Sequence, residues 1–470
     1  MFLGIDLGSS SVKVMAVSKH ERYKYKGVYP ENTSPYEHDA QMVEQAVRGA
    51  LEGLFANTPV KPEDIEAIGL DGHGPSIVFM DGEGTALTPI ITWQDRRAME
   101  ESQMLRERIP GFAKDGTSYE AKLCWFYAHH PELFRPGVEA FYPKDYILFR
   151  LCGVRMMDSS TASTIAFYDR AEKSWAPCAP FFPPEVMPQV FPSWEKVGET
   201  GTAFSRACGL PDGIPIVPGG IDAFCEAVGS GGVREGIVVD GSGTSTCLTL
   251  CMKQDGVHSE HVLPGLALET PMLSSTGASY RWLCGLFPQV DMNALQDEVD
   301  PSAPVNLIYL PYLSGERTPI NDDRATGVFL GLRPNTGPKQ LLQAVMQGVA
   351  FAIAQNLDLM SGRVEKVRAV GGANSSPLWL QIKANAAGLS YEQMEENDGA
   401  AFGSALLAAY GTGAYTMDDV EALLRVRRTA EPDDSHREEY CALRKVYEGL
   451  YPKLKDLYCD MYRLREALDQ

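Results

Sequence analysis

The sequence predicts an α/β protein built from two similar domains with a ligand-binding cleft between them. The chain has 470 residues, which exceeds the usual size of one domain and is enough for two or three domains with cores of their own. Short apolar runs typical of strands alternate with amphipathic runs typical of helices, the pattern of α/β proteins. A strand-turn-strand pattern near the N-terminus returns near the middle of the chain, which indicates an internal duplication.

The first half begins with a predicted strand, tight turn and strand over residues 2–17, in which Gly8 and the serines after it supply the turn. An apolar stripe at helical spacing predicts a helix over residues 39–56. Two short apolar runs, at 65–70 and 77–80, predict buried strands. Polar residues follow the first of these runs, and α/β proteins bind ligands at such strand ends.

The duplication rests on two pairs of similar segments. Residues 4–17 and 236–250 both read as strand, Asp, Gly, a hydroxyl-rich turn and a second strand. Residues 65–74 and 364–373 both read as an apolar strand that ends in glycines. The order of the two segments is the same in each half, so two related domains are expected.

The boundary between the halves is predicted near Gly232 and Val233, after the glycine-rich run 229–232. The predicted domains are therefore residues 1–232 and 233–470. No low-complexity linker separates them.

The second half continues with a predicted strand at 307–310 and a long helix over about 337–360. A helix of small residues at 400–409 could pack closely under a nucleotide site. The stretch 440–470 has apolar residues in a 4-3 alternation, interrupted by Pro452. A terminal helix docked on its own domain is the preferred interpretation, and a coiled coil is the alternative.

Composition excludes several classes of partner. The formal net charge of −20 argues against general binding to nucleic acid or an anionic membrane. Ten scattered cysteines form no CxxC pair and favour a reducing compartment. Met1 leads directly into an apolar strand with no secretory signal, and no run of about twenty apolar residues occurs. A cytoplasmic location is expected.

Two segments predict chemistry. Asp222 follows Gly219 and Gly220, where little side-chain bulk surrounds it, and such a carboxylate suits a base that accepts a proton from a hydroxyl. The turn from Gly243 to Ser245 offers backbone and hydroxyl donors to a phosphate. Together they suggest phosphoryl transfer to an alcohol. Each segment taken alone is also compatible with an ordinary turn.

The N-terminal hairpin offers a second set of candidates. Gly8, Ser9 and Ser10 form a turn that could contact phosphate, and Asp6 stands where a carboxylate could hold a hydrated Mg²⁺. These residues could equally serve only to cap the hairpin.

The residues beyond the next strands could contact a substrate. His73 and Gly74 follow the strand at 65–70, and Trp93, Asp95 and Arg97 follow a later apolar run. His73 is equally compatible with a sugar contact and with a loop histidine whose hydrogen bonds are satisfied. A P-loop is not supported, because no GxxxxGK[ST] occurs.

Several motifs resemble those of the FGGY family of carbohydrate kinases, over almost the whole chain. They are the opening hairpin at 4–13, Trp93-x-Asp95-x-Arg97-Ala98, Lys122-Leu123-Cys124-Trp125-Phe126, Tyr146–Gly153, Asp158-x4-Ser163, Pro311–Pro319, Gly327-x-Phe329-x-Gly331-Leu332 and Gln340–Gln347. The resemblance implies the actin-like ATPase fold, with two ribonuclease-H-like domains and ATP between them. It implies ATP-dependent phosphorylation of a sugar or polyol.

The resemblance also implies roles for individual residues. Asp222 matches the catalytic base and Asp6 the carboxylate near Mg²⁺, through water. The remaining matches fall into two groups. Positions implied to bind ATP or phosphate are Gly8, Ser9, Ser10, Lys13, Gly243, Thr244, Ser245, Gly371, Gly372 and Asn374. Positions implied to bind the sugar are His73, Gly74, Trp93, Asp95, Arg97 and Asp222.

Some positions depart from the family pattern. Gly74 and Pro75 stand where many pentulose kinases of the family have Met and His, which changes the predicted sugar pocket. Gln347 stands where Glu is common, and Asn374 where a basic residue is common. These changes put xylulose specificity in doubt and could alter contacts to the nucleotide.

The predicted function is therefore in-line phosphoryl transfer from MgATP to a sugar hydroxyl, with a ketopentose such as xylulose slightly favoured. Ribulose, a tetritol or other polyol, and an aldonate such as gluconate remain open. A catalytically silent sugar-binding regulator and a structural ATPase of the actin or chaperone type are the alternatives from other classes. No nucleic acid or membrane partner is expected. The oligomeric state stays open, with a homodimer among the states considered.

Overall fold

The computed structural model describes residues 1–31, 33–112, 114–178, 180–395 and 398–468. The strands are β1 (Phe2–Leu7), β2 (Ser11–Val17), β3 (Arg22–Val28), β4 (Glu37–His38), β5 (Ala67–Gly72), β6 (Val78–Met80), β7 (Ile90–Ile91), β8 (Glu139–Phe141), β9 (Met157–Asp158), β10 (Tyr168–Asp169), β11 (Ser174–Trp175), β12 (Val190–Phe191), β13 (Gly198–Glu199), β14 (Pro215–Ile221), β15 (Ile237–Ser242), β16 (Thr246–Lys253), β17 (Ser259–Glu260), β18 (Leu266–Glu269), β19 (Met272–Leu273), β20 (Ile308–Leu310), β21 (Val328–Leu330), β22 (Lys366–Val370), β23 (Tyr391–Met394) and β24 (Val426–Ala430).

The helices are α1 (Ala40–Asn57), α2 (Met99–Arg108), α3 (Tyr119–His129), α4 (Pro143–Cys152), α5 (Ser159–Ala162), α6 (Ala203–Ala207), α7 (Asp222–Gly229), α8 (Gly277–Leu286), α9 (Met292–Gln296), α10 (Pro338–Leu359), α11 (Pro377–Ala387), α12 (Gly399–Gly411), α13 (Met417–Ala422), α14 (Arg437–Glu448) and α15 (Leu450–Leu468). The predicted N-terminal hairpin is confirmed as β1 and β2, and the predicted helices at 39–56 and 337–360 are confirmed as α1 and α10.

The structure divides into two units. Unit 1 comprises residues 1–229, 253–267 and 398–423, and unit 2 comprises residues 230–252, 268–397 and 424–470. The division predicted from the sequence, 1–232 and 233–470, stays a prediction. The units differ from it chiefly because α12 and α13 lie with the first half of the chain.

Unit 1 is organised around a sheet in the order β13-β14-β5-β1-β2-β3. The strands β14, β5 and β1 are parallel, and the two hairpin partners, β13 and β2, are antiparallel to their neighbours. Apolar residues of β1, β2 and β5 are buried together with those of α1 in one core. The carboxyl ends of the three parallel strands therefore meet at one edge of the sheet.

Unit 2 repeats this topology. Its central strands run in the order β24-β23-β22-β15-β16. Again the middle three strands are parallel and the outer two are antiparallel to their neighbours. A second core joins this sheet to α10 and α11. The predicted duplication is thus visible in the strand order and direction of the two units.

Helix α12 lies directly on the sheet of unit 1. A Cβ atom added at Gly4 would stand 1.8 Å from the carbonyl oxygen of Ala401, and one at Gly69 would stand 2.0 Å from that of Ser404. Gly4 and Gly69 are neighbours on β1 and β5. Two adjacent glycines on the sheet, facing a helix of small residues, allow backbone-to-backbone contact that no larger residues would permit. The small-residue helix thus packs under the strands that lead to Asp6 and Asp71.

The Gly403→Ala change is expected to destabilise unit 1 by at least about 2 kcal/mol, because overpacking a close contact forces the backbone to shift. The added Cβ would lie 1.9 Å from the carbonyl oxygen of Cys225 in the middle of α7. Gly49→Ala in α1 is the matched control. It meets nothing within 4 Å and should stabilise the helix by roughly 0.5–1 kcal/mol. Urea unfolding followed by tryptophan fluorescence compares the two, and equal midpoints would contradict the packing argument.

The C-terminal stretch forms two helices that meet at Gly449. Pro452 lies in the first turn of α15, where its missing N–H removes no helical hydrogen bond. Leu443, Leu450 and Leu454 pack against the core of unit 2. The predicted docking on the protein's own domain is confirmed for this part of the stretch. Among the described residues, no helix combines the length and apolar character that crossing a membrane requires.

Candidate active site

Three carboxylates lie at the edge of the unit 1 sheet where its parallel strands end. Asp6 on β1 is paired in register with Asp71 on β5, and Asp71 is paired with Gly220 on β14. Asp222 follows the last residue of β14 and begins helix α7. Parallel strands bring their carboxyl ends to one edge, which is where α/β folds bind ligands.

Asp6 and Asp71 have different partners. Lys13 Nζ lies 3.6 Å from Asp6 Oδ2 and 3.3 Å from Asp398 Oδ1. Asp71 is fully buried; the Ser404 hydroxyl donates to its Oδ2 at 2.6 Å, while its Oδ1 has no hydrogen-bond partner among the described residues. Burial and the neighbouring Asp6 hold the pKa of Asp71 well above its usual value.

Asp222 is partly buried, and its Oδ1 accepts a hydrogen bond from the backbone N–H of Ala223 at 2.8 Å. Loss of hydration and, next, the Asp6 carboxylate raise the pKa of Asp222 to about 7. Glu226 lies one helical turn further along α7, and loss of hydration also raises its pKa. A carboxylate with a pKa near neutrality is suited to accept a proton from a hydroxyl.

Asp222 is one of several neighbouring acidic side chains. Asp6, Asp71 and Glu226 all influence it or each other electrostatically. Asp71 has a signal in the sequence, since it ends a strand as Asp6 does. The i, i+4 spacing of Glu226 from Asp222 would have been visible had α7 been predicted.

Two hydrogen bonds to Gly8 hold the hairpin turn after Asp6 in place. The N–H of Gly8 donates to the carbonyl of Ser11 at 3.0 Å, and the Tyr29 hydroxyl donates to the carbonyl of Gly8 at 3.1 Å. Ser9 is partly buried and Ser10 is exposed, so hydroxyls of both residues stand at the turn. Their role as phosphate donors stays a prediction.

His73 is buried and its Nδ1 lies 2.7 Å from the Ser76 hydroxyl. Burial, together with the nearby His38, lowers the pKa of His73 to about 3, so the ring is neutral at physiological pH. This environment agrees with the alternative in which His73 is a loop histidine whose hydrogen bonds are satisfied. At Gly74, a Cβ would lie 2.7 Å from Cε1 of Tyr142, so the ring of Tyr142 occupies the space of a side chain there.

Asp95 and Arg97 form a two-bond ion pair. Arg97 Nε donates to Asp95 Oδ1 at 2.8 Å and Nη2 donates to Oδ2 at 2.9 Å, while Nη2 also contacts Glu37. The guanidinium lies 4.9 Å from the ring centre of Trp125. Burial alone would raise the pKa of Asp95, but the hydrogen bonds from Arg97 outweigh this effect and keep the pKa below its usual value. Trp93, by contrast, is 41% exposed, and its contact with a sugar stays a prediction.

Lys122 joins the two loops that carry these residues. It is fully buried, and its ammonium donates to the carbonyls of Pro75 at 3.0 Å and Thr92 at 2.7 Å. Burial lowers the pKa of Lys122 to about 7. In the sequence, Lys122 is recognisable only as part of a family motif. Because it is buried and bonded to two backbone carbonyls, it connects the two loops.

Unit 2 contains a cavity of about 480 Å³ beside the second hydroxyl-rich turn. Its lining includes Gly243, Thr244, Tyr280, Arg281, Gly372 and Trp379. The carbonyl of Thr244 accepts hydrogen bonds from the N–H groups of Thr276 and Ala278, both at 3.0 Å. These bonds fix the turn against the start of α8, with Gly243 and Thr244 exposed.

The glycine pair at the end of β22 has two distinct roles. Gly371 has a φ of +89°, and a Cβ there would lie 2.5 Å from the carbonyl oxygen of Ser242. Gly372 has open space around its Cα and lines the cavity. Gly371 therefore allows the close approach of two backbones, and Gly372 leaves the cavity open.

Asn374 is buried and supports the neighbouring strand. Its Nδ2 donates to the carbonyls of Asp240 at 2.9 Å and Val370 at 2.8 Å, and its Oδ1 accepts from Lys383 at 2.7 Å. Lys383 Nζ also lies 2.8 Å from Asp240 Oδ2. A direct contact from Asn374 to a nucleotide stays a prediction, since its amide is already fully engaged.

A larger cavity, of about 830 Å³, lies elsewhere in unit 1, between α1, α4 and the segment 84–89. None of the predicted site residues lines it. The larger volume of this cavity is therefore no reason to place the reaction there.

Comparison with known proteins shows which family the chain belongs to. Residues 1–229 match the model of the N-terminal domain of the FGGY family of carbohydrate kinases, and residues 241–412 match that of its C-terminal domain. The xylulose kinase of Escherichia coli (strain K12) is 29% identical, over 97% of this chain and 100% of that protein. The xylulose kinase of Bacillus subtilis (strain 168) is 27% identical, over 97% of each.

Solved structures show the same fold. A crystal structure of a xyloylose kinase from Brucella ovis superposes with a TM-score of 0.86 at 27% identity, over 97% of this chain and 99% of that one. Plasmodium falciparum glycerol kinase with ADP superposes with a TM-score of 0.83 at 18% identity, over 95% and 97%. The predicted two-domain α/β architecture is confirmed by the first match, and the second agrees in fold alone.

Proposed function

The chain belongs to the FGGY family of carbohydrate kinases and is a sugar kinase that uses ATP, and from this premise we propose that its acceptor is a ketopentose, xylulose first. The relatives described above are named xylulose kinases. The observation that carries the proposed mechanism is the row of Asp6, Asp71 and Asp222 at the ends of three adjacent parallel strands.

Asp222 is the proposed general base. Its partial burial and neighbouring carboxylates raise its pKa to about 7, so a substantial fraction is ionised at neutral pH and still basic enough to accept a hydroxyl proton. As the sugar oxygen attacks the γ-phosphorus, its proton passes to a carboxylate oxygen of Asp222, and the bond from the γ-phosphorus to the bridging oxygen breaks to release ADP. Phosphoryl transfer otherwise depends on positioning and charge stabilisation, which asks for few further covalent participants.

The unit 2 cavity is the proposed nucleotide site. Gly243 and Thr244 expose backbone and hydroxyl donors at its edge, Gly372 leaves it open, and aromatic side chains line its wall. Ser245, Gly371 and the buried Asn374 then act by shaping that wall. In unit 1, Gly8, Ser9, Ser10 and Lys13 are the proposed phosphate contacts.

A magnesium ion fits Asp6. In the described part of the chain, no three acidic, histidine or cysteine side chains are grouped as a metal cage. Mg²⁺ usually keeps several waters and is bound by one or two carboxylates together with substrate phosphates. Asp6 is buried and has the unpartnered Oδ1 of Asp71 beside it. These two residues could supply the one or two carboxylates that such a magnesium ion needs. When bound, the ion would offset the negative charge of the phosphates.

For the sugar, we propose contacts from Trp93, Asp95 and Arg97 and from the loop that carries His73 and Gly74. The Asp95–Arg97 pair presents fixed polar groups, and Lys122 holds the two loops together. The neutral His73 can act as a hydrogen-bond partner without carrying charge. An uncharged polyhydroxylated acceptor suits this set better than an anionic sugar acid.

The test is ADP release with xylulose, ribulose, erythritol, glycerol and gluconate, each against a sugar-free reaction. Xylulose is expected to give the highest kcat/KM. A higher value for another acceptor would overturn the proposed substrate and leave the kinase assignment intact. Sustained ATP turnover that no sugar stimulates would favour a structural ATPase and overturn both.

The pH dependence follows from Asp222. A general base must be unprotonated, so kcat/KM for the sugar should rise with pH through about 7 and fall roughly tenfold per pH unit below it. Because the Glu226 carboxylate contributes to the raised pKa of Asp222, the Glu226→Gln variant should move the acid limb to lower pH. Initial rates between acid and weakly alkaline pH measure this. A flat profile in acid, or an unmoved limb in the variant, would contradict it.

A further inference from the structure

One motif of the sequence, Asp158-x4-Ser163, has no part in the reaction described so far. In the structure, Asp158 ends β9 and caps the start of α5. It belongs to unit 1 and is fully buried. Because a buried charge is costly unless it is paired and hydrogen-bonded, the partners of this carboxylate indicate what it supports.

The two carboxylate oxygens of Asp158 have different partners. Lys144 Nζ lies 2.6 Å from Oδ2. Oδ1 accepts three hydrogen bonds, from the Ser160 hydroxyl at 2.5 Å, the Ser193 hydroxyl at 2.8 Å and the N–H of Thr161 at 2.9 Å. Burial alone would raise the pKa of Asp158, but Lys144 and these donors outweigh this effect and hold the pKa below its usual value. The carboxylate is therefore ionised and fully engaged.

Strand β14 has a bulge shortly before it reaches Asp222. Its residues 218 and 219 stand opposite the single residue Leu70 of β5. Gly219 has a φ of +65°, and a Cβ there would lie 1.8 Å from the carbonyl oxygen of Leu70. Bulges next to active sites commonly change the direction of a side chain. The direction in which Asp222 leaves the strand thus depends on this bulge.

Two serines that Asp158 holds also contact the bulge. The N–H of Gly219 donates to the carbonyl of Ser193 at 3.1 Å. At Gly220, a Cβ would lie 2.5 Å from Ser160 Oγ and 3.6 Å from Asp158 Oδ1, so the Gly220 backbone packs directly on these side chains. One carboxylate therefore fixes both residues that hold the two glycines in place.

We propose that Asp158 is a positioning residue for the general base Asp222. Through Ser160 and Ser193 it holds the bulge from which Asp222 emerges, and it acts on the backbone rather than on sugar or ATP. The inference rests on the proposed role of Asp222. A reacting group needs a supporting shell that fixes its geometry, and a displacement of about 1 Å can cost about 10²-fold in rate.

The first test is the Asp158→Asn variant. An amide cannot satisfy both sides of this position, because its single oxygen can face either Lys144 or the three donors. The bulge should loosen, so kcat should fall about 10- to 100-fold while the KM for ATP stays within about twofold. Steady-state ADP release with the best acceptor of the sugar panel measures both values, and circular dichroism checks that the variant is folded.

Asp145→Asn is the matched control. Asp145 is also fully buried and paired with Lys144, and among the described residues its side chain is hydrogen-bonded to that lysine alone. The control removes the same charge from the same lysine and leaves the bulge supported, so kcat should stay within about twofold of the wild type. Equal losses of kcat in Asp145→Asn and Asp158→Asn would overturn the proposal, since the loss of a buried charge would then explain both.

A double-mutant cycle with Asp222→Asn separates positioning from general damage. If Asp158 acts through Asp222, adding Asp158→Asn should lower the residual kcat of Asp222→Asn by less than about threefold. A fall by the same factor in both backgrounds would overturn the proposal. Near-normal turnover in Asp222→Asn itself would overturn the role of the base, and the proposal with it.

Ser160→Ala provides a milder variant that keeps both charges in place, should Asp158→Asn fail to fold. It removes only the hydroxyl that packs against Gly220. Its kcat should fall at least about threefold in the wild-type background and change little in the Asp222→Asn background. A folded Ser160→Ala protein with unchanged kcat would overturn the proposal.

Discussion

The Asp222→Ala variant is expected to lose about 10²–10⁴-fold in kcat, the usual contribution of a positioned general base. The reason lies in unit 1, where Asp222 stands at the start of α7 with a pKa raised to about 7 by loss of hydration and by Asp6. ATP affinity should change little, because the proposed nucleotide cavity lies in unit 2. Steady-state ADP release measures kcat, and calorimetric titration with ATP measures the affinity.

Two further variants give this prediction its controls. Asp222→Asn keeps the shape of the side chain and removes its basicity, so it should lose kcat as Asp222→Ala does. Asp39→Ala removes another aspartate at a helix start, whose side chain accepts from the N–H groups of Gln41 and Met42. It should cost about 1 kcal/mol of stability and leave kcat unchanged. Near-normal turnover in Asp222→Asn would overturn the role of the base.

The Lys383→Met variant is expected to destabilise unit 2 by about 3–5 kcal/mol, the typical cost of leaving a buried charge without its partner. Lys383 is fully buried, and its ammonium donates to Asp240 Oδ2 at 2.8 Å and to the Ser242 hydroxyl at 2.9 Å. Removing it leaves the buried Asp240 carboxylate uncompensated. Ser242 directly precedes Gly243, so ATP affinity should fall as well. Chemical unfolding and ATP titration measure the two effects.

Lys339→Met is the matched control for this variant. Lys339 is an exposed lysine of the same unit, 3.9 Å from Glu298, and its loss should cost less than about 1 kcal/mol. The double change Asp240→Asn with Lys383→Met should recover part of the stability, since it removes the unpaired charge. A single Lys383→Met that is as stable as the control would contradict the argument.

Much of the fold could be predicted from the sequence because local patterns determine it. Alternating apolar residues around Gly8 define the β1–β2 hairpin, and helical periodicity defines α1 and α10 within one or two residues. The duplication could be predicted because each half repeats the order of its elements. These signals lie within short segments and need no knowledge of distant contacts.

The rest depends on contacts between residues far apart in sequence. The proximity of Asp6, Asp71 and Asp222 follows from the strand order β14-β5-β1, which no local pattern specifies. Helix α12 was assigned to the second half because it follows that half in the chain. Its contacts with Gly4, Gly69 and Cys225, which are far away in the sequence, place it in unit 1. The family resemblance implies a nucleotide contact for Asn374, but its burial against Asp240 could not be predicted from the sequence.

The position of α12 affects how this protein folds during its synthesis on the ribosome. Strands β1 and β5 emerge first, yet the helix that covers Gly4 and Gly69 begins only at Gly399. About 330 residues separate Gly69 from Gly399, so at about 5–20 residues per second the two strands remain without this helix for roughly 15–65 seconds. During that interval the surface around Gly4 and Gly69, which α12 later covers, is exposed to water and to chaperones. The first unit to be translated is therefore among the last to be completed, and fragments that stop before residue 399 are expected to aggregate.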